Sequence, residues 1–246
     1  MKKNIPIGSV QSKSIHHCHN CHLNSLCMAV SLDMSEMSKL DEIVDRGKPL
    51  QKGHFLCMQG NKFESVFAIK SGSVKTYITN NAGEQQITGF YFPGDLIGLN
   101  SIHTDTYEST IQVLETTSIC QIPFEQLDTL SAALPKLRRQ ILKTMSKEIC
   151  NDQNMLQLLA NKSANERLAS FLIQLSERFK ERGFSESRFR LSMSRNDIAN
   201  YLGLTVETVS RGLTKLHKNQ QVSVENKEIE IKDFDYLYEL SNGKCE

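Results

Sequence analysis

Ser194-Arg195-Asn196-Asp197-Ile198-Ala199-Asn200-Tyr201-Leu202-Gly203-Leu204-Thr205-Val206-Glu207-Thr208-Val209-Ser210-Arg211-Gly212-Leu213-Thr214-Lys215-Leu216 predicts two short helices joined by a tight turn. Ser194 followed by Arg195-Asn196-Asp197 reads as a helix start. Ala199 is small where the helices touch, Gly203 makes the turn, and Val209 is apolar beneath the second helix. That spacing is a helix-turn-helix. Thr205 caps the second helix, so its first exposed residues are expected to be Val206, Glu207, Ser210 and Arg211. A recognition helix that enters the major groove N-terminus first presents such positions to base edges. Arginine suits the O6/N7 pair of guanine, and glutamate accepts from a cytosine amino group. The implied partner is double-stranded DNA.

Both flanks fit this reading. Short strands around Gln221-Val222-Ser223-Val224 and Glu228-Ile229-Glu230-Ile231 would form a wing. Upstream, Ser163-Ala164-Asn165-Glu166 matches a capping box. It opens an amphipathic helix through Leu168, Phe171, Leu172, Leu175 and Phe179 that stops at Arg182-Gly183. The chain's formal net charge is only +1, but from Arg178 to Lys218 nine basic residues face four acidic ones. From Asn219 onward seven acids outnumber three basic residues. A basic stretch inside a neutral chain agrees with a nucleic-acid face.

Leu137 to Ala160 has helical composition and contains no Pro or Gly. Leu142, Met145, Ile149, Asp152, Leu156 and Leu159 alternate spacings of three and four, a heptad seam suited to pairing with a second copy. Other stretches of the helix can pack on the chain's own roll. Asp152 occupies an apolar position of the seam, so a symmetric dimer would bring two carboxylates together and hold association marginal.

From about Leu50 to Phe124, short apolar runs alternate with turn signals. The runs are Val66 to Ile69, Val74 to Ile78, Gln86 to Phe92, Ile111 to Leu114 and Ser118 to Ile122. The turns are Gln59-Gly60-Asn61, Ser71-Gly72-Ser73, Asn81-Ala82-Gly83 and Pro93-Gly94-Asp95. This predicts an antiparallel roll or small barrel without a helix of any length inside it.

Cys18, Cys21 and Cys27 read C-x2-C-x5-C near the N-terminus, and Cys120 lies in the roll. Such spacing lets several thiolates reach one soft metal centre, either zinc or an iron–sulfur cluster. Seven cysteines, an odd and uneven set, do not resemble a disulfide framework. Cys57, Cys150 and Cys245 read as free thiols. His16, His17, His19 and His22 crowd the cysteines and offer alternative ligands. At 246 residues two domains can each bury a core. No apolar run is long enough to span a membrane, and Met1-Lys2-Lys3-Asn4-Ile5-Pro6 leads into no apolar signal region, so a cytoplasmic protein is expected.

A roll, a dimer-forming helix and a winged helix-turn-helix together resemble the cyclic AMP receptor protein superfamily. Within it, the cysteines and three strings are similar to the fumarate and nitrate reduction regulators, the oxygen-sensing branch. The strings are Gln85-Gln86-Ile87-Thr88-Gly89-Phe90, Leu114 to Cys120 with Ile122-Pro123-Phe124, and Tyr201 to Thr208. The resemblance covers nearly the whole chain. It implies an α+β fold with an N-terminal antiparallel β-roll of cyclic-nucleotide-binding type, a long dimerisation helix and a C-terminal winged helix-turn-helix. The expected divisions are 1–30 for the cysteine segment, 31–135 for the roll, 136–161 for the dimerisation helix and 162–246 for the DNA-binding domain. It further implies that Cys18, Cys21, Cys27 and Cys120 hold a [4Fe-4S] cluster without oxygen, that the cluster favours a homodimer, and that oxygen degrades it. Asp152 matches the acidic residue that makes dimerisation conditional. Glu207, Ser210 and Arg211 match the readers of a TTGAT half-site, and Thr79 to Gln86 a surface that touches RNA polymerase. His22 departs from the family, standing where relatives often have serine.

Two rival classes are disfavoured. A cyclic phosphate needs a cation, usually a bidentate arginine, yet no Arg occurs between Arg46 and Arg138. A metal-dependent roll enzyme needs converging histidines, and the roll has only His54 and His103. A regulator of the same fold with structural zinc at the cysteines is the remaining alternative.

Overall fold

Alternation of apolar and polar residues through the first half builds two facing antiparallel sheets. The computed structural model describes residues 17–23 and 25–243; His16 and Cys245 lie outside them. Helix α1 (Met34–Glu42) comes first and opens on a capping box between Asp33 and Glu36. Strands β1 (Phe55–Cys57), β2 (Ser65–Ser71), β3 (Val74–Thr79), β4 (Gln85–Tyr91), β5 (Leu96–Ile97), β6 (Thr110–Val113) and β7 (Ser118–Pro123) follow. They form one sheet in the order β1-β6-β3-β4 and another in the order β5-β2-β7. The five predicted runs are strands, and between β1 and β7 the described helical structure is a single three-residue turn, Leu99–Ser101. Strands β1 and β5 were too short to signal themselves in sequence.

Strand β2 is buried along most of its length, with Val66, Phe67, Ala68 and Ile69 at 3 % exposure or less. A strand covered on both faces reads as a continuous apolar run. Here the roll interior lies on one side, and α1 with the cysteine segment contributes Met28, Ala29, Met37 and Leu40 to the same core. Helix α2 (Phe124–Ala133) starts directly after β7, and Pro135 begins α3 (Pro135–Asn161) at the position where a missing N–H costs least.

The second half is α4 (Ala164–Glu181), β8 (Arg188–Arg190), α5 (Arg195–Leu202), α6 (Val206–Lys218), β9 (Val222–Glu225), β10 (Glu228–Ile231) and α7 (Phe234–Ser241). The predicted capping box at Ser163 and Glu166 is present, and Gly183 ends the helix at φ +75°. Strand β8 joins the predicted wing hairpin, giving the order β8-β10-β9. The apolar core of this half crosses residue 162: Tyr77, Ile87, Phe90, Phe92 and Leu114 of the roll pack with Phe171, Leu172, Ile198 and Leu202. Each such fully buried side chain contributes about 1.5–3 kcal/mol, so roll and helix-turn-helix are held together by more than the α3–α4 connection. No helix among the described residues is long and apolar enough to cross a membrane.

Candidate functional site

Four cysteines from three parts of the chain meet at one cavity. Cys18 begins a 3-10 turn, and the Cys21 N–H donates to the Cys18 carbonyl at 3.2 Å. Cys27 precedes a second turn, Met28–Ser31, and its own N–H donates to the Leu23 carbonyl at 2.9 Å. Cys120 pairs with Ala68 across the β2–β7 ladder. These cysteines, with Leu40, Arg46, Ala68 and Ile122 among others, line a cavity of about 40 Å³. All four are free, partly buried thiols.

Burial dominates their acidity. It pushes Cys18 up to about 12 and Cys27 up to about 11, and raises Cys120. Coulombic repulsion from neighbouring thiolates adds to each shift, while Arg46 works against it at Cys18 and Cys120. With no metal ion bound, Cys18, Cys27 and Cys120 therefore favour the protonated thiol, and a soft metal centre must displace those protons to bind. The donor set fits such a centre, being four sulfurs in a mostly apolar wall. In the present arrangement no group of three or more His, Cys, Asp or Glu side chains among the described residues is drawn together closely enough to hold a metal ion. Of the histidines considered as ligands, His17 borders the cavity, but its Nδ1 lies 2.6 Å from Asp41 Oδ2 and its ring stacks on His19. His22 is exposed and does not line the cavity. Cys57 is buried and Cys150 exposed, both away from the site.

Helix α3 divides its faces as its periodicity requires. Ile141 and Met145 pack against the roll core, and Leu158 against the core of the second half. Leu142, Ile149 and Leu156, spaced seven apart, are 57 %, 58 % and 69 % exposed. Asp152 is exposed on the same helix, whereas Met145 and Leu159, also placed on the seam, are half-buried within their own chain. Glu148, one turn before Asp152, is pushed up to about 7 by burial and by the nearby charges of Asp152 and Asp95.

The helix-turn-helix is built as its sequence predicts. Ser194 and Asp197 form a capping box, Gly203 ends α5 in the left-handed region at φ +63°, and the Thr205 hydroxyl accepts from the Thr208 N–H. Glu207 and Arg211 are exposed at the start of α6. The expectation of exposure fails for Val206, which is half-buried against the apolar core, and Ser210 is half-buried too. Along the start of α6 Val209 is buried, Val206, Thr208 and Ser210 are half-buried, and Glu207 and Arg211 stand outside.

Several positioning residues gave no signal in the sequence. Gly212, unfavourable inside a helix by about 1 kcal/mol, lies where an added Cβ would stand 2.7 Å from Leu168 Cδ2, so a larger residue there would displace that side chain where α6 meets α4. The Arg167 guanidinium donates to the carbonyls of Leu159 (2.8 Å), Lys162 (2.9 Å) and Leu202 (3.0 Å), tying the end of α3 to the end of α5. Lys75 of β3 forms a largely buried ion pair with Asp197 at 2.6 Å. The Asn200 amide closes the free edge of β4, its Nδ2 donating to the Gln85 carbonyl (2.7 Å) and its Oδ1 accepting from the Ile87 N–H (2.6 Å). Arg178 and Arg182 both engage Asp95. These polar contacts join α3 and the roll to the helices of the helix-turn-helix. Such partners are distant in sequence, so no local pattern marks them.

Comparison with known proteins agrees with this anatomy. Residues 48–133 match the cyclic nucleotide-binding domain and residues 166–240 the Crp-like helix-turn-helix domain. The chain is 54% identical over 230 residues to the transcriptional activator protein anr of Pseudomonas aeruginosa, covering 94% of each chain. It is 47% identical over 225 residues to the fumarate and nitrate reduction regulatory protein of Escherichia coli, covering 92% of this chain and 90% of that one. Among solved structures it is similar to FixK2 from Bradyrhizobium japonicum, with a TM-score of 0.74 at 27% identity over 80% of this chain and 97% of that one.

Proposed function

The chain belongs to the Crp/Fnr family of transcription regulators, in the branch of the fumarate and nitrate reduction and Anr proteins, and on that premise we propose that it is a cytoplasmic, oxygen-responsive regulator governed by a [4Fe-4S] cluster. It is a DNA-binding regulator and not an enzyme. The observation that carries the finer reading is the meeting of Cys18, Cys21, Cys27 and Cys120 at one cavity, although Cys120 comes from a strand far along the chain. Those four thiolates would hold the cluster, which supplies reactivity toward oxygen when bound. Cys120 fixes one side of the site to the roll, and the other three tie the N-terminal segment to it. Met28 and Ala29 of that segment share the core that seats Leu137 and Met145 of α3. A fixed segment therefore favours one seating of the helix, and Leu142, Ile149 and Leu156 then pair with a second copy against the repulsion of two Asp152 carboxylates.

Dimerisation sets two α6 helices about one DNA turn apart, as palindromic TTGAT-type half-sites require. Glu207, Ser210 and Arg211 would read the bases, with Val206 packed beneath them. The exposed hairpin Thr79–Gln86 is a surface for RNA polymerase, shaped by the Asn80 side chain, which accepts from the Ala82 and Glu84 N–H groups at 3.0 Å each. The roll does not use a cyclic nucleotide, because no arginine between Arg46 and Arg138 is present to meet its phosphate.

The reading at α6 is tested by Arg211→Ala. Binding to the palindromic site should weaken by about 1–3 kcal/mol, with specificity relaxed at one base position. Anisotropy titrations over single-base variants check this, and an equal loss on every sequence would reassign Arg211 to a phosphate.

A further inference from the structure

The cysteine cavity has one nearly buried cation against its thiols. Arg46 lies just after α1, and its side chain is 15 % exposed. Its Nη2 stands 3.1 Å from Cys18 Sγ and 2.5 Å from Asp41 Oδ1. The same guanidinium and Cys120 line one cavity. Arg46 therefore binds a cysteine of the N-terminal segment beside the cysteine that β7 contributes to the site.

Asp41 organises the other side. Its Oδ1 also accepts from the Cys18 N–H at 2.9 Å, and its Oδ2 meets His17 Nδ1 at 2.6 Å. Through these contacts Asp41 is a fixed anchor for Arg46 and for the backbone of Cys18. Asp41 thus holds both the Cys18 backbone and the guanidinium that donates to the Cys18 thiol.

Four thiolates give an iron–sulfur cluster a net negative charge, which an apolar pocket cannot bear alone. We infer that Arg46, fixed by Asp41, is the residue that compensates this charge and holds Cys18 and Cys120 in register for the cluster. The inference rests on the cluster reading proposed above. Arg46 is a positioning residue that acts through the two thiolates. Lys70, half-buried at the same cavity, lowers the cost of a thiolate at Cys120 but makes no hydrogen bond to a thiol.

The test compares wild type, Arg46→Met and Arg46→Lys, each loaded with iron and sulfide without oxygen. Two readouts are taken: the rate of iron extraction by a chelator, and the midpoint potential of the bound cluster. Loss of such a hydrogen-bonding partner typically costs about 10- to 100-fold in retention, so extraction from Arg46→Met should be faster by that factor. Its potential should fall, because removing a positive charge disfavours adding an electron. Arg46→Lys keeps the charge and loses the planar fork, so its potential should stay near wild type while extraction is intermediate. Equal extraction rates and equal potentials in all three proteins would overturn the inference. If Arg46→Met does not fold, Arg46→Lys decides alone, and wild-type retention in it is the overturning result. A wild-type chain that takes up no sulfide instead overturns the cluster reading, and that result is visible before any variant is compared.

Discussion

Cys120→Ala is expected to abolish specific DNA binding in the absence of oxygen while leaving the chain folded. Cys120 lies within β7, opposite Ala68 on β2, and is only partly buried. Alanine at that position keeps the strand and removes one sulfur, a loss of about 1 kcal/mol in packing. The consequence for the site is far larger. Without its thiolate the cavity retains ligands from the N-terminal segment alone, and nothing covalent joins that segment to the roll. The cluster is then lost or bound only loosely, α3 is not driven to pair, and single helix-turn-helix units bind DNA without the gain of two joined half-sites. Anisotropy on a palindromic duplex should show affinity falling to the level of non-specific binding, with the apo melting temperature near that of wild type. Retained specific binding would remove the cysteine site from the mechanism.

Asp152→Ala should produce dimers in air. The row Leu142, Ile149 and Leu156 presents an apolar seam that its own chain leaves more than half exposed. Asp152 interrupts that seam one turn after Glu148, whose carboxyl is already pushed up to about 7 by burial and by the charges of Asp152 and Asp95. Bringing a second Asp152 into this negative field costs several kcal/mol, and each 1.4 kcal/mol is a factor of ten in the dimer constant. Alanine removes the repulsion and raises helix propensity at the same position. The dimer constant should tighten by about 10- to 1000-fold, measured by sedimentation equilibrium under air. A variant as monomeric as wild type would show that Asp152 does not control association.

These two effects also mark how differently the parts of the molecule were written in the sequence. The helix-turn-helix was legible because its determinants are local: Ala199, Gly203, Thr205 and Val209 act within two turns of one another. The five longer strands of the roll and the long α3 were legible for the same reason, through periodicity and turn residues. Helices α1, α2 and α7 are short; Asp33 and Asp233 cap the first and last, and α2 follows Pro123 with no side-chain cap, signals easily passed over beside stronger ones. Val206 is less exposed than expected because α6 seats it against the apolar core of the second half, a tertiary contact that helical spacing alone does not specify. The Arg46–Asp41 web, the Arg167 bridge and the Asn200 contact with β4 unite residues far apart in the chain. Only the folded arrangement of roll, α3 and α4 brings them together. The closeness of Cys120 to the other three cysteines followed from family resemblance, since spacing alone left zinc and iron–sulfur equally open.

The most direct test is elemental analysis of the full-length protein purified without oxygen, counting iron, sulfide and zinc per chain and recording the visible spectrum before and after air. Iron and sulfide in [4Fe-4S] proportion, with absorption that bleaches in air, is the predicted result. Zinc at one per chain with no sulfide would contradict oxygen sensing and leave a DNA-binding regulator stapled by a structural metal.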